Sequence, residues 1–234
     1  MCFQHTSLII YQEVFMLKGM VFVDHQNFTI EVSHYYRDKG MPVPRLNYDV
    51  LFKNITKLVD NVGFVKAYMY IPKPDSFLMT DKALSNAYDW ANGMKTKAFL
   101  DVVEGRYIAR PTDPAVPMNI GDKKTYYKVE KGTDINLAID AISMAFHNSL
   151  DIAFVVSADT DYLRVYDMLK SLGKLIVVVA VAGQNVSKIR PHVDKIVFLD
   201  DTFFSQCLMP ATPKSTASTT VPTPVAAATT ATAP

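Results

Sequence analysis

Cysteine is scarce, with two in 234 residues, Cys2 and Cys207, near opposite ends of the chain. Thiols so placed have neither the spacing of a metal site nor that of a disulfide framework, which reads as a reducing, cytoplasmic setting. Excess charge of either sign is also missing. Twenty-four Lys and Arg stand against 23 Asp and Glu, a formal net charge of +1. No bulk basic field exists, so any nucleic-acid contact has to come from a local patch. No apolar run approaches the ~18 residues of a membrane helix, so no membrane partner is expected. The apolar stretch within Ser7 to Leu17 lacks the basic residues that precede a signal-peptide core. Met16 and Met20 both stand where translation could start. Neither G-x-G-x-x-G nor G-x-x-x-x-G-K-[ST] occurs, which removes dinucleotide binding and the P-loop.

What is present is an ordinary globular composition, 49% hydrophobic and 20% charged. It suits one domain with additions at its ends. Residues 1–18 read as an N-terminal extension, 19–205 as the domain, and 206–234 as a tail. From Pro210 onward the chain is almost all Ala, Thr, Pro, Ser and Val. Such a segment buries too little apolar surface to offset the entropy of ordering, so a disordered tail is expected.

Within the domain, Met20 to Val23, Phe64 to Ile71, Phe99 to Ile108, Thr125 to Val129, Ile152 to Val156, Leu175 to Ala182 and Lys195 to Leu199 read as strands. Pro72 and Pro74 stop the second, and Glu104-Gly105 interrupts the third. Helical spacing appears over residues 46–62, ending near Gly63, over Lys82 to Met94, and from Leu163 to Leu172 with Gly173 as its C-cap. A short helix is expected over Val186 to His192. Ile135, Ala138, Ile139, Ile142, Ala145 and Phe146 recur at the spacing of one buried helical face, with Thr133 as N-cap. Arg110 to Lys124 is a loop. Alternation of this kind predicts an α/β fold with a mostly parallel, doubly wound sheet flanked by helices.

Asp159 and Asp161 follow the continuous apolar strand Ile152 to Val156, at the entrance to a helix. In open α/β sheets that carboxyl edge is where ligands bind. Either Asp could simply cap the helix, but a pair repels, and a cation between them resolves the repulsion. Asp24 ends the first strand, and Asp134 falls in the first turn of a helix, where the dipole favours negative charge. At a switch point the first strand and the later central strand become neighbours, so these carboxylates converge. Oxygen donors favour Mg²⁺ or Mn²⁺.

Three segments resemble the NYN domains, a branch of the PIN-like nucleases. They are Val-Phe-Val-Asp24-His-Gln-Asn27, Lys131-Gly-Thr-Asp134-Ile-Asn-Leu-Ala-Ile-Asp140, and Ser157-Ala-Asp159-Thr-Asp161-Tyr162. Leu172-Gly173-Lys174 before a strand is similar to the LabA-like (DUF88) subgroup. Ala158 departs from the Gly usual in the family. The resemblance spans roughly residues 20–200 and implies a single PIN-like domain and metal-dependent hydrolysis of RNA phosphodiesters. It implies Asp24, Asp134, Asp159 and Asp161 as catalytic and metal-holding residues, and Asn27, Lys131 and Ser157 as substrate contacts. Asp140 is a weaker addition, since its helical position with Asn136, Ser143 and His147 suits a solvated stripe. The partner implied is RNA, and a homo-oligomer is left open. Arg106, Arg110, Lys123, Lys124 and Lys128 suggest a basic rim, with Tyr107, Tyr126 and Tyr127 available to stack on bases. The rival from another class is a catalytically quiet NYN module that binds RNA or a protein. A HAD-type phosphatase would need an acid two residues after Asp24, where Gln26 stands.

Overall fold

The apolar runs become strands of one sheet in the computed structural model, which describes residues 16–210. Of the expected extension 1–18 and tail 206–234, residues 1–15 and 211–234 lie outside the described residues, while Leu17 and Lys18 belong to the first strand and Cys207 is buried. The strand order is β4-β3-β2-β1-β5-β6-β7. β1 (Leu17–Asp24) lies parallel between β2 (Val62–Pro74) and β5 (Ile152–Val156). β3 (Leu100–Pro111), β6 (Leu175–Val181) and β7 (Lys195–Leu199) extend the parallel sheet, and β4 (Tyr126–Lys131) closes one edge antiparallel to β3. The chain winds outward from β1, then returns to begin its second half at β5. The β1/β5 boundary is therefore the switch point, as expected.

α1 (His25–Asp38), α2 (Tyr48–Thr56), α3 (Lys82–Gly93) and α6 (Asp201–Ser205) pack on one face. α4 (Thr133–Phe146) and α5 (Leu163–Ser171) pack on the other. β1 serves both cores, with Val21 and Val23 turned to one face and Met20 and Phe22 to the other. Val21, Phe22 and Val23 are 0% exposed. At about 1.5–3 kcal/mol for each such side chain, burial on both faces fixes the strand that carries Asp24. No helix among the described residues is long and apolar enough to cross a membrane.

Helix α1 (His25–Asp38) is not among the expected elements, and α4 departs from the pattern in the face it buries. Ile135, Ile139 and Phe146 are 63%, 59% and 69% exposed. Ala145 of the expected face is buried and Ala138 and Ile142 are partly buried, but the face against the sheet centres on Thr133, Leu137 and Ala141. This helix is apolar over most of its circumference, and its small alanines let the backbone lie close to the sheet. Its cap is also different. Gly132, at φ 87°, caps α4 without a side-chain bond, and Thr133 is already inside the helix.

Elsewhere α2 ends at Thr56, and Asn61 at φ 59° turns the chain so that Gly63 lies in β2. β2 runs through Pro72 and Pro74 because its pairing with β1 ends at Tyr70, which leaves it a neighbour on the β3 side alone. β3 passes Gly105 without interruption. Between β6 and β7 only the turn Arg190–His192 is helical, and Pro191 there supplies no N–H to a longer helix. Gly173 takes the left-handed conformation expected of a C-cap, at φ 73°.

Candidate active site

β1 delivers Asp24 to the carboxyl edge of the sheet, where only 7% of it is exposed. Its Oδ1 accepts the backbone N–H of Asn27 at 3.0 Å and so caps α1. Its Oδ2 accepts from Ser157 Oγ and from Tyr162 Oη, each at 3.4 Å. Burial pushes the Asp24 carboxyl up to about 6. The Asn27 N–H opposes the shift, and negative charge on Asp134 and Asp159 adds to it.

Asp134 arrives from the opposite side, on the first turn of α4. The β4–α4 junction lies directly on β3 at Gly105. A Cβ there would stand 2.7 Å from Thr133 N and 2.9 Å from Lys131 O. A side chain at that position would push the junction, and Asp134 with it, off the sheet. Asn136 Nδ2 donates to Glu104 O at 3.2 Å and ties the same turn to β3. Tyr162 Oη donates to Asp134 Oδ1 at 2.9 Å. This hydroxyl has one proton to give, so the short bond goes to Asp134 and the 3.4 Å contact to Asp24 is the weaker share of it.

Asp159 follows β5. Its Oδ1 accepts from Asp161 N at 2.9 Å, so it does cap the short turn Thr160–Tyr162. Its own N–H donates to Ser157 Oγ at 3.2 Å. Ser157, 2% exposed, therefore links Asp159 to Asp24 from within the protein. Capping occupies one oxygen of Asp159, and its charge still acts on Asp24.

The structure thus brings together Asp24, Asp134, Asp159 and Ser157. Asp161 is exposed and is not among the charges that act on Asp24. Asn27 contributes its backbone N–H. Lys131 is exposed at the end of β4. Asp140 is not on a solvated stripe. It is half-buried and accepts from Tyr70 Oη at 3.0 Å, apart from the other carboxylates.

Three residues of this neighbourhood had been given no role from sequence. Tyr162 sat in view within the Ser-Ala-Asp-Thr-Asp-Tyr segment. Glu130 directly precedes Lys131, and its carboxyl is pushed upward by burial, with the Thr133 hydroxyl opposing and Asp24 and Asp134 adding. Tyr166 reads as an ordinary core position of α5. Its hydroxyl is buried without a hydrogen-bond partner among the described residues and lies in the field of Asp159 and Asp24.

Among the described residues no ion pair reaches Asp24, Glu130, Asp134, Asp159 or Asp161. No three acidic, His or Cys side chains among them are already set closely enough to hold an ion. The donor chemistry nevertheless fits a hard dication, since the group is all oxygen and its charge is uncompensated. Beside it, the β3–β4 hairpin carries Arg106, Arg110, Lys123, Lys124, Lys128 and Lys131, all exposed. Of the tyrosines there, Tyr126 is buried edge-to-face on Phe77 at 5.2 Å and offers no stacking surface. Tyr127 is 54% exposed, and Lys128 lies over the ring of Tyr107 at 5.3 Å.

Residues 18–200 match the NYN domain family, a span that contains every residue of this carboxylate group. The chain belongs to that family. Membership in the NYN family points to nuclease-type work on RNA. The NYN domain is also 24% identical over 198 residues to 6-hydroxy-3-succinoylpyridine 3-monooxygenase HspA of Pseudomonas putida, covering 73% of this chain. The chain spans only 62% of the length of that relative. A solved structure of a protein of unknown function from Vibrio parahaemolyticus is 18% identical, with a TM-score of 0.48 over 83% of this chain and 98% of that one.

Proposed function

We propose that this NYN domain is a ribonuclease that depends on Mg²⁺ or Mn²⁺ and hydrolyses RNA phosphodiester bonds. The observation that supports this best is the buried Asp24 carboxylate in the field of Asp134 and Asp159, with no cation paired to any of the three among the described residues. Asp24, Asp134 and Asp159 would hold the metal, and Asp161 would reach it from the solvent side. When bound, the metal supplies a water of lowered pKa and neutralises charge on the phosphate. Ser157 Oγ and Tyr162 Oη orient Asp24 Oδ2, and Tyr162 also fixes Asp134 Oδ1. Lys131 and Arg106, paired across the hairpin, would hold flanking phosphates of the strand. The monooxygenase name of the Pseudomonas relative stays with that protein.

A second reading, an NYN module that binds RNA without cutting it, has one observation in its favour. Among the described residues no metal site is closed in advance. The two separate on incubation with mixed single-stranded and structured RNAs. The nuclease gives products with Mn²⁺ or Mg²⁺ and none with EDTA. Retained RNA without product under every metal condition would establish the binding module.

A further inference from the structure

A cavity of about 570 Å³ opens between α1, α2 and α3, on the sheet face opposite α4. Phe28, Val32 and Tyr48 form its buried floor. Its wall is Trp90, the one tryptophan in the chain, left 46% exposed. Trp90 is held in place. It stands edge-on to Tyr48 at 5.2 Å and 5.9 Å from the ring of His25, whose Nε2 pairs with Tyr48 Oη at 3.1 Å. His25 directly follows Asp24, so the aromatic wall begins one residue from the carboxylate group.

The polar groups around the hollow are half-spent. Thr29 Oγ1 donates to His25 O at 2.9 Å, and Ser33 Oγ to Thr29 O at 2.7 Å, which leaves the hydroxyl lone pairs free to accept. Asn47 Oδ1 accepts from the amides of Asp49 and Val50 at 3.1 and 3.4 Å, which leaves its NH₂ free to donate. Of the two cations lining the cavity, Lys97 pairs with Asp49 at 3.6 Å. Arg45 is exposed and enters no ion pair among the described residues.

From this arrangement we infer that the cavity holds one nucleotide, its base against Trp90, its base edge toward Thr29, Ser33 and Asn47, and its phosphate at Arg45. An aliphatic acid would leave the indole face and the edge groups unused. A neutral ring would leave Arg45 unused. A flat heterocycle carrying one anion uses all three, and a preformed hollow of this size accommodates it. The choice of a nucleotide among aromatic anions rests on the ribonuclease reading. The nucleotide is either free or a unit of an RNA strand entering the carboxylate group beside it.

The test titrates UMP into the full chain in EDTA, followed by Trp90 fluorescence and by calorimetry. A saturable response is expected, at least tenfold weaker in Arg45→Gln and at least tenfold weaker for uridine, which lacks the phosphate. Trp90→Phe keeps a ring in the cluster and should melt like the wild type while binding UMP more weakly by calorimetry. A short single-stranded RNA that displaces UMP identifies a strand unit as the ligand, and one that does not identifies the free nucleotide. The inference is overturned by a response that never saturates, by inorganic phosphate binding as well as UMP, or by undiminished binding in Arg45→Gln. It is also overturned if the fluorescence changes with protein concentration alone, which would make this face a contact between copies. Asp24→Asn should lose cleavage and keep UMP binding. Cleavage without a UMP site therefore sinks this inference only, and a UMP site without metal-dependent cleavage sinks the ribonuclease reading only.

Discussion

Asp24 and His25 are consecutive, yet they look into environments that differ in almost every physical respect. On the Asp24 side, carboxylates from β1, α4 and the end of β5 come together with hydroxyls between them and no paired cation among the described residues. On the His25 side, burial lowers the imidazole to about 4, so the ring stays neutral against Tyr48 and Trp90. One region holds electrostatic energy that a ligand cation would release. The other is an apolar hollow with little internal conflict. A single peptide bond separates them because β1 ends there and α1 begins, so Asp24 is spent on the cap and the edge while His25 turns into the helix face. Charge left unresolved in the fold signals chemistry more strongly than a hollow does.

The sharpest way to break that comparison is Asp24→Asn, which keeps the shape and removes the charge. RNA hydrolysis with Mn²⁺ should fall by more than the roughly 10–100-fold typical of residues that only orient metal ligands. A loss of tenfold or less would leave the carboxylate group without a catalytic part. Asp159→Asn should behave similarly, since Asn keeps an oxygen for the cap to Asp161 N.

The same substitution sharpens the comparison in a metal-free buffer. The Asp24 carboxyl rises from 3.8 unfolded to about 6 folded, so the native state binds the extra proton between these values. Stability of the wild type in EDTA should therefore fall as pH rises from about 4 to 6 and then level off. Asp24→Asn removes that penalty. Relative to wild type it should gain up to about 3 kcal/mol across this window, from two pH units at about 1.4 kcal/mol each. Denaturant melts at pH 3.5 and 7.5 measure it. A difference independent of pH would mean that the carboxylate is no worse off folded than unfolded.

Gly105→Ala should come next in size. The added methyl meets Thr133 N at 2.7 Å and Lys131 O at 2.9 Å, both backbone atoms. Overpacking of this kind costs about 1–3 kcal/mol, and it displaces Asp134 without touching it. Thermal melts and hydrolysis rates should fall together. An unchanged rate would show that the position of Asp134 does not matter.

Much of this was legible before the structure. The strand from Met20 to Val23, the buried run Ile152 to Val156 and the helix entered at Thr133 place Asp24, Asp134 and Asp159 by pattern alone, and parallel winding makes β1 and β5 neighbours, whereas α1 behind Asp24 is not among the expected helices. Tyr162, Tyr166 and Glu130 were not assigned because their roles depend on what faces them across the fold, which no local spacing records. The cavity was invisible for the same reason. It is assembled from α1, α2, α3 and the segment between α1 and α2. Asp140 shows the reverse case, where a helical stripe that looked solvated meets Tyr70 on β2.

The smallest expected effect concerns the α4 face that periodicity placed inside. Ile135, Ile139 and Phe146 are apolar at helical spacing, but so are Leu137 and Ala141, and only one of the two stripes can meet the sheet, with Ala145 buried at its end. The structure seats the stripe with the smaller residues, which brings the first turn of α4, and so Asp134, within reach of Tyr162. If that seating is right, Ile139→Gln changes an exposed position and should shift stability by no more than about 0.5 kcal/mol. Ala141→Leu, two residues on and on the opposite side of the helix, would press a large side chain onto the sheet, cost about 1–3 kcal/mol, and lower hydrolysis by lifting Asp134. Denaturant melts of the pair distinguish the two seatings. A larger loss for Ile139→Gln than for Ala141→Leu would mean that α4 is rotated toward the stripe the periodicity favours, and Asp134 would then no longer point toward Tyr162.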